Sequence, residues 1–252
     1  MPIVEVTNLE KEYRKVKALR GISFSINEGE IFGLIGPNGA GKSTTLKILS
    51  TLLKPTGGRA TIDGHDVVRE ADRVREVISY LPEEAGAYRN LTGYEYLEFM
   101  AKLYAKDRER ASEMLELGVK LSDLGERLYD RVSTYSKGMT RKLLIARALM
   151  VRPKLAVLDE PASGLDIVNA YTIRRTIRRF SEEEGITFLI SSHNMLEVEF
   201  LCDRVALIDR GRIIEVGTPS ELKERYGARN LEEVFMRALG VEADEPIGGE
   251  GS

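Results

Sequence analysis

Short apolar runs alternate with helical patterns along most of the chain, which is typical of an α/β fold. Five runs are short and apolar enough to predict buried strands. They are Ile31–Ile35, Val77–Leu81, Leu155–Leu158, Thr187–Ile190 and Val205–Ile208. Near the start, Ile3–Leu9 and Ile22–Ile26 alternate apolar with polar positions, as antiparallel strands with one open face do. The pattern therefore predicts an α/β core with a mixed sheet and an N-terminal antiparallel β-subdomain.

Between about residues 92 and 152 the strand-like runs stop, and the apolar spacing becomes helical. The predicted helices are Tyr94–Ala105, Arg108–Leu117, Leu121–Leu128 and Ser136–Met150. This stretch predicts an inserted α-helical subdomain beside the sheet, within one domain over residues 1–240. A further helix is predicted from near Lys42, on the spacing of Leu46, Leu49, Leu52 and Leu53. Residues 241–252 are acidic and rich in Gly and Pro, which predicts a disordered tail.

Composition excludes several classes of protein. Of the 252 residues, 42% are hydrophobic and 31% charged, so the chain can bury a core. Lys and Arg number 37 against 40 Asp and Glu, whereas nucleic-acid-binding proteins usually carry a basic excess. No nucleic-acid partner is therefore expected. Cys202 is the single cysteine, which excludes a disulfide framework and a Cys-based zinc site. No apolar run approaches the roughly 18 residues of a membrane span, and the start has no secretory-signal pattern.

The strongest motif is the glycine-rich segment Gly36–Ser43, which matches G-x-x-x-x-G-K-[ST] in full. A predicted strand precedes it and a predicted helix follows it, as a phosphate-binding loop requires. Glycines let successive backbone N–H groups point inward at a positive helix N-terminus. The residues assigned to the nucleotide are Gly36, Asn38, Gly39, Gly41, Lys42, Ser43 and Thr44. The alternative, a glycine-rich turn that only caps a helix, is disfavoured by this context, so we predict a P-loop NTPase core.

Two roles are predicted within that loop and two at the end of another strand. Lys42 is expected to reach the β- and γ-phosphates, and the Ser43 hydroxyl to bind Mg²⁺. Asp159 and Glu160 follow a buried strand, and their side chains should point in opposite directions. Asp159 suits the metal, through a water, while Glu160 suits the attacking water as its general base or orienter. An ordinary acidic strand end is the alternative.

The two histidines are interpreted differently. His193 ends the apolar strand Thr187–Ser192, and parallel strands end at the ligand-binding edge of an open sheet. We therefore predict that His193 reaches the γ-phosphate, although a structural histidine is the commoner case. His65 lies in a turn-like segment and is assigned no chemistry.

Together these motifs resemble the nucleotide-binding subunit of ATP-binding cassette (ABC) transporters over roughly residues 3–240. The segment Thr134–Lys142 falls where that family has its Leu-Ser-Gly-Gly-Gln signature. Ser136 and Gly138 match, whereas Tyr135, Lys137 and Met139 depart from it. The resemblance implies that Ser136 and Gly138 face the γ-phosphate of an ATP held by a second subunit, so that two chains sandwich two ATP molecules head to tail. Taken alone, the segment would be a plain capped helix.

The same resemblance assigns roles to four further segments. Ser163–Asp166 resembles the D-loop of the dimer contact, and Tyr13 falls where an aromatic stacks on adenine, with a structural tyrosine as the alternative. Glu83 stands where the Q-loop usually has Gln, and it would contact Mg²⁺ and link nucleotide state to the helical subdomain. Tyr88–Met100 borders the groove that receives a coupling helix from the membrane subunit. At least half of its side chains, including Leu97 and Met100, are expected to be core.

The resemblance implies a Mg²⁺-dependent ATPase whose ATP hydrolysis is coupled to transmembrane transport, most similar to the ABC-2 or efflux-type branch. Its implied partners are integral membrane permease subunits and a second ATPase subunit, either an identical copy or a paralogue. The implied location is cytoplasmic, peripheral on the inner face of the cell membrane. Two alternatives remain open at this point: a soluble ABC ATPase acting in the assembly of a complex, and a nucleotide-gated switch with poor hydrolysis.

Overall fold

A computed structural model describes residues 2–241, apart from the side chain of Glu197. Except for its first residue, the predicted tail lies outside this part of the chain. The strands are β1 (Pro2–Tyr13), β2 (Val16–Asn27), β3 (Ile31–Ile35), β4 (Gly57–Ile62), β5 (His65–Asp66), β6 (Ile78–Leu81), β7 (Leu155–Asp159), β8 (Thr187–Ser192), β9 (Arg204–Asp209) and β10 (Arg212–Gly217). The helices are α1 (Lys42–Leu49), α2 (Ala71–Val77), α3 (Gly93–Tyr104), α4 (Arg108–Ser122), α5 (Lys137–Leu149), α6 (Ile167–Glu184), α7 (Met195–Leu201), α8 (Pro219–Tyr226) and α9 (Leu231–Ala238).

The central sheet has six strands in the order β10-β9-β3-β8-β7-β6. All its neighbours are parallel except β9 and β10, which form an antiparallel hairpin. Every residue of β3, β7 and β8 is buried, since helices or a second sheet cover both faces, and this explains their continuous apolar runs. The five predicted strands of this sheet are confirmed.

A smaller antiparallel sheet, in the order β2-β1-β4-β5, covers one face of the central sheet. Residues that alternate along β1 and β2, such as Val4 and Ile26, are fully buried against Phe32 of β3. Phe24 of β2 stacks on Phe32 with ring centroids 5.4 Å apart. The predicted antiparallel β-subdomain is confirmed.

The chain between β6 and β7 contains α3, α4 and α5, joined by two short 3-10 helices at Gly125–Tyr129 and Val132–Thr134. The predicted helix Leu121–Leu128 is wrong. The helix α4 continues through Leu121 and ends where Asp123 turns left-handed at φ 48°, and Gly125 is left-handed as well. Two left-handed residues so close together break a right-handed helix.

The prediction that the first helix carries Leu52 and Leu53 is also wrong, because α1 ends at Leu49. Thr51 is left-handed at φ 61°, and Leu52 is 64% exposed. The helical spacing of apolar residues continues past Leu49, but the helical conformation of the backbone ends there.

The architecture confirms the predicted fold class, an α/β core with a mixed sheet, an antiparallel β-subdomain and a helical insertion. The limits predicted for the domain, 1–240, and for the helical subdomain, 92–152, stay predictions. The strands β3, β7 and β8 are adjacent and parallel, so the residues that follow them meet at one edge of the sheet.

Candidate functional site

The carboxyl ends of β3, β7 and β8 bring together three of the predicted motifs. A cavity of about 150 Å³ opens there. Its lining residues are Ala18, Asn38, Gly39, Gly41, Lys42, Ser43, Thr44, Glu83 and Glu160. Six of these nine belong to the segment that follows β3, so the cavity is mainly a property of that loop and the first turn of α1.

The loop needs its glycines for steric reasons. A Cβ on Gly36 would lie 2.0 Å from the carbonyl oxygen of Ile208, and one on Gly41 would lie 2.9 Å from that of Ala18. Gly41 also has φ 114°, which other residues rarely adopt. The helix α1 starts directly after it, with no side-chain cap and no acidic residue in its first turn. Its N-terminal N–H groups are therefore available to an anion.

Lys42 is almost completely buried and is held over the loop. Its Nζ donates to the carbonyl oxygens of Gly36, at 2.7 Å, and Pro37, at 3.3 Å. The same atom lies 3.6 Å from Oε1 of Glu160. The ammonium group is thus fixed between the loop and a carboxylate, where it can interact with phosphate oxygens.

Asp159 is buried at the end of β7 with two hydroxyl groups around its Oδ1 atom. The Ser43 hydroxyl donates to it at 3.3 Å and the Ser191 hydroxyl at 2.5 Å. A serine hydroxyl and one carboxylate are oxygen ligands of the kind that Mg²⁺ shares with nucleotide phosphates. Among the described residues, no group of three or more His, Cys, Asp and Glu side chains could hold a metal ion. The Ser43 hydroxyl and the Asp159 carboxylate fit a Mg²⁺ ion that is bound together with a phosphate.

Glu160 leaves the strand in a left-handed conformation, with φ 49°. Such a conformation is strained for a residue with a side chain, and here the backbone N–H is held by Ser191, whose Oγ accepts at 3.1 Å. The turn aims the carboxylate into the cavity. Its Oε2 lies 2.9 Å from Nδ1 of His193, whose side chain is 47% exposed. Glu160 therefore lies between the Lys42 ammonium and the His193 imidazole.

Arg141 is a site residue that sequence reasoning missed. This side chain of α5 is buried and donates five hydrogen bonds to backbone carbonyl groups, at 2.8–3.2 Å. The acceptors are Pro82, Glu83, Asp159, Glu160 and Pro161. Burial lowers the pKa of the guanidinium, and the nearby carboxylates of Asp159, Glu83 and Glu160 oppose that shift. A charged residue on the otherwise apolar face of α5 was the signal that could have revealed it.

The site residues fall into two groups. Lys42, Ser43, Glu83, Asp159 and Glu160, together with His193, are brought together by the structure. Glu83 lines the cavity although its side chain is exposed, and Arg141 holds its carbonyl group.

Tyr13, Ser136 and Gly138 do not line that cavity. Ser136 caps α5, where its Oγ accepts from the N–H of Met139 at 3.2 Å. Gly138 is buried so closely against Asn169 that a Cβ would lie 2.6 Å from its side chain. Tyr13 is 43% exposed, and its ring lies under the Lys11 ammonium at 5.1 Å.

Comparison with known proteins identifies similar sequences. Residues 19–163 match the family model described as ABC transporter. The chain is 40% identical to the linearmycin resistance ATP-binding protein LnrL of Bacillus subtilis, over 94% of this chain and 76% of the relative. It is 41% identical to the daunorubicin/doxorubicin resistance ATP-binding protein DrrA of Streptomyces peucetius, over 90% of this chain and 69% of the relative.

Solved structures show the same architecture. An ATP-binding subunit of an ABC transporter superposes with a TM-score of 0.82 at 29% identity, covering 94% of this chain and 99% of the other. A dimeric ATP-binding cassette in a post-hydrolysis state, bound to ADP and Pi, superposes with a TM-score of 0.76 at 26% identity. That match covers 85% of this chain and 98% of the other.

Proposed function

The chain belongs to the ABC transporter family, and from that premise we propose that it dimerises head to tail and powers transport through separate membrane subunits. Like the family, it is an ATPase. The observation that carries the proposed catalytic site is the position of Glu160, with its carboxylate 3.6 Å from Nζ of Lys42 and 2.9 Å from Nδ1 of His193 at the mouth of the phosphate loop.

In the proposed reaction, Glu160 accepts a proton from the water that attacks the γ-phosphorus. A bond forms between that water oxygen and phosphorus as the bond to the β,γ-bridging oxygen breaks. Lys42 offsets the negative charge of the β- and γ-phosphates, and His193 orients the γ-phosphate. Tyr13 stacks on the adenine ring.

Ser43 and Asp159 would hold Mg²⁺, and Glu83, which lines the same cavity, would supply a further oxygen ligand. When bound, the ion neutralises phosphate charge. The Ser191 hydroxyl donates to the same Asp159 oxygen as Ser43, so it positions the carboxylate for this role. Glu83 follows the edge strand β6 and precedes the helical block formed by α3, α4 and α5. This position supports a link between nucleotide state and the helical block.

The dimeric arrangement is supported by the position of the N-terminus of α5, which lies outside the cavity around Lys42 of the same chain. Ser136 is the N-cap of α5, and Lys137 and Gly138 are the first two residues of the helix. None of these residues lines the cavity around Lys42. A second subunit placed head to tail would bring its own helix N-terminus to the γ-phosphate, where N–H groups and the helix dipole stabilise negative charge.

The membrane partner is proposed on two observations. The relatives are named resistance ATP-binding proteins, which favours the efflux-type branch. In the segment Tyr88–Met100, Leu97 and Met100 are core residues, but Tyr88 and Phe99 are about half exposed and contact each other edge to face at 5.8 Å. Exposed aromatic side chains are enriched at protein interfaces. Among the described residues, no helix has the length and apolar character to cross a membrane. From the names of the relatives and the exposed aromatic pair, we propose that the chain binds permease subunits at the cytoplasmic face of a membrane.

Replacing Glu160 by Gln tests the catalytic proposal. Because Gln keeps the shape but cannot accept the proton, turnover should fall at least about a hundredfold. ATP and Mg²⁺ should then hold the variant as a dimer, which light scattering measures, whereas the wild-type chain returns to monomer. Unchanged turnover would exclude Glu160 as the group that accepts the proton. Loss of turnover without formation of a dimer would contradict the head-to-tail arrangement of two chains around ATP.

Purification in detergent from the native host tests the transport proposal. A polytopic membrane protein should co-purify with the tagged chain, and Tyr88→Ser together with Phe99→Ser should release it while leaving ATP binding intact. Recovery with soluble partners alone would favour the alternative, an ABC ATPase that acts in the assembly of a complex.

A further inference from the structure

A second cavity, of about 510 Å³, lies between the edge strand β6 and the helical block. Tyr104 of α3, Met114 of α4 and Arg147 of α5 contribute to its walls, together with the segment 75–80. None of its lining residues lines the cavity around Lys42. Its volume lies within the range of about 300–1,000 Å³ that is usual for small-molecule sites, which often form between subdomains.

Three side-chain atoms of residues that line this cavity are buried without a hydrogen-bond partner within the described protein: Nε of Arg147, Oγ of Ser79 and the hydroxyl oxygen of Tyr80. Another guanidinium nitrogen of Arg147, Nη2, donates to the carbonyl oxygen of Tyr80 at 3.4 Å. Ser79 shares a face of β6 with Leu81, which packs in the core beneath the helices, so both side chains point toward the helical block. Tyr80 packs on the other face of β6, so Ser79 and Arg147 are the unpaired donors on the side of the helices. Buried donors without acceptors are unfavourable, and an acceptor bound in the cavity would offset part of that cost.

The charge of the cavity favours a negative acceptor. Arg75, Lys106 and Arg147 line it, against the single carboxylate of Glu76. Arg75 is already paired with Asp72 at 2.7 Å, which leaves Lys106 and Arg147 as the cations that a ligand can engage. Arg147 takes part in no ion pair among the described residues.

The remaining walls are apolar or aromatic. They consist of Val77, Ile78, Tyr80, Tyr104, Met114, Ala148, Val151 and Pro153. A ligand that fits must therefore combine a compact anionic group with a flat apolar body, since apolar walls supply contact area while a few polar groups set orientation.

We propose that this cavity binds a small aromatic carboxylate. The carboxylate accepts from Nε of Arg147 and Oγ of Ser79, with Lys106 nearby, and the ring packs against Tyr104 and Met114. This site is separate from the nucleotide site, and its existence does not depend on the proposed transport function.

Titration of the full chain with benzoate, followed by methyl NMR of 13C-labelled methionine, tests the site. The Met114 methyl signal should shift saturably, and the signal of Met236 on α9 should not. Benzyl alcohol, which has the ring without the charge, should bind with a Kd at least about tenfold higher, as read from the same Met114 signal. Absence of a saturable Met114 shift, or an equal Kd for the two probes, would overturn the proposal.

Variants identify the contacts. Arg147→Leu should raise the benzoate Kd about tenfold or more, and Ser79→Ala about threefold, because a charge-assisted hydrogen bond is stronger than a neutral one. Ser79→Ala removes only one oxygen, so it keeps the test valid if Arg147→Leu fails to fold. Arg89→Leu, outside the cavity, is the matched control and should bind as wild type. Unchanged affinity in both cavity variants would contradict the site, and loss of binding in Lys42→Ala would place benzoate at the phosphate loop instead.

Discussion

At the residue scale, Arg141 connects three segments that are far apart in sequence. Its guanidinium group donates hydrogen bonds to the carbonyl oxygens of Pro82 and Glu83. It also donates to those of Asp159 and Glu160, at the end of β7. The five donors of a planar guanidinium match this arrangement, and a lysine with one nitrogen cannot reproduce it. Arg141 therefore positions the Glu83 segment relative to Asp159 and Glu160 without lining the cavity itself.

Replacing Arg141 by Met should lower the free energy of unfolding by at least about 3 kcal/mol, because several buried carbonyl groups lose their donor and nearby carboxylates lose a counter-charge. Urea unfolding measures the change. Arg110→Met on α4, which breaks only the exposed pair with Glu113, is the control and should change stability by about 0.5 kcal/mol or less. If Arg141→Lys were as stable as wild type, the guanidinium geometry would not be what holds the segments.

Glu160 shows a different limit of sequence reasoning at the same scale. Its role as the carboxylate next to the attacking water was predicted from two adjacent acids at a strand end. Its left-handed backbone was not predicted, since nothing in Asp-Glu-Pro demands φ 49°. The hydrogen bonds from its N–H to Ser191, on the neighbouring strand, offset the cost of this left-handed backbone conformation.

At the element scale, the turn between β9 and β10 is a two-residue hairpin loop, Arg210-Gly211, in which both residues are left-handed. Such loops favour Asn-Gly, because asparagine adopts this conformation at lower cost than arginine. Arg210→Asn should therefore raise the free energy of unfolding by about 0.5–1 kcal/mol. The ion pair that Arg210 forms with Asp209 is exposed and contributes little.

Gly211→Ala is the opposite case in the same turn. Its Cβ would lie 2.6 Å from the carbonyl oxygen of Ala18, and its φ is 76°. Thermal melts of both variants, compared with wild type, separate the two effects. A stabilising Gly211→Ala, or a destabilising Arg210→Asn, would contradict this account of the turn.

Helix boundaries were the least predictable feature among the elements. The apolar spacing past Leu49 and across Leu121–Leu128 suits a helix, yet left-handed residues at Thr51 and Asp123 end α1 and α4. Local spacing reports which side chains can face a core. It does not report where the backbone turns, because that depends on what the next segment must reach.

At the scale of the whole molecule, several carboxylates are held in their charged form by the fold. The N–H of Thr92 donates to Glu95 at 2.7 Å and lowers its pKa below the usual 4.5, and the N–H of Thr218 does the same for Glu221. Each pair forms a capping box at the start of α3 or α8. Because these pKa values are lower in the folded state, their contribution is present above about pH 4.5 and is lost as pH falls through the folded values.

The melting temperature should therefore change little between pH 7 and pH 5.5 and fall progressively below about pH 4.5. Differential scanning calorimetry across this range measures it. A double variant, Glu95→Gln and Glu221→Gln, keeps acceptor oxygens but has no charge to titrate, so its melting temperature should fall less steeply in acid. An identical slope in wild type and variant would exclude these caps as a source of acid sensitivity.

The sequence by itself determined the phosphate loop, the buried strands around it and the family resemblance, since each depends on residues that are neighbours in the chain. The order and direction of the strands, the pairing of Glu160 with His193 and the position of Arg141 were decided by the tertiary structure. These features join residues that are distant in sequence, and their energies depend on burial and on distances that no local pattern contains. The cavity beside β6 belongs to the same class, because Ser79 and Arg147 meet there only once the helical block packs against the edge of the sheet.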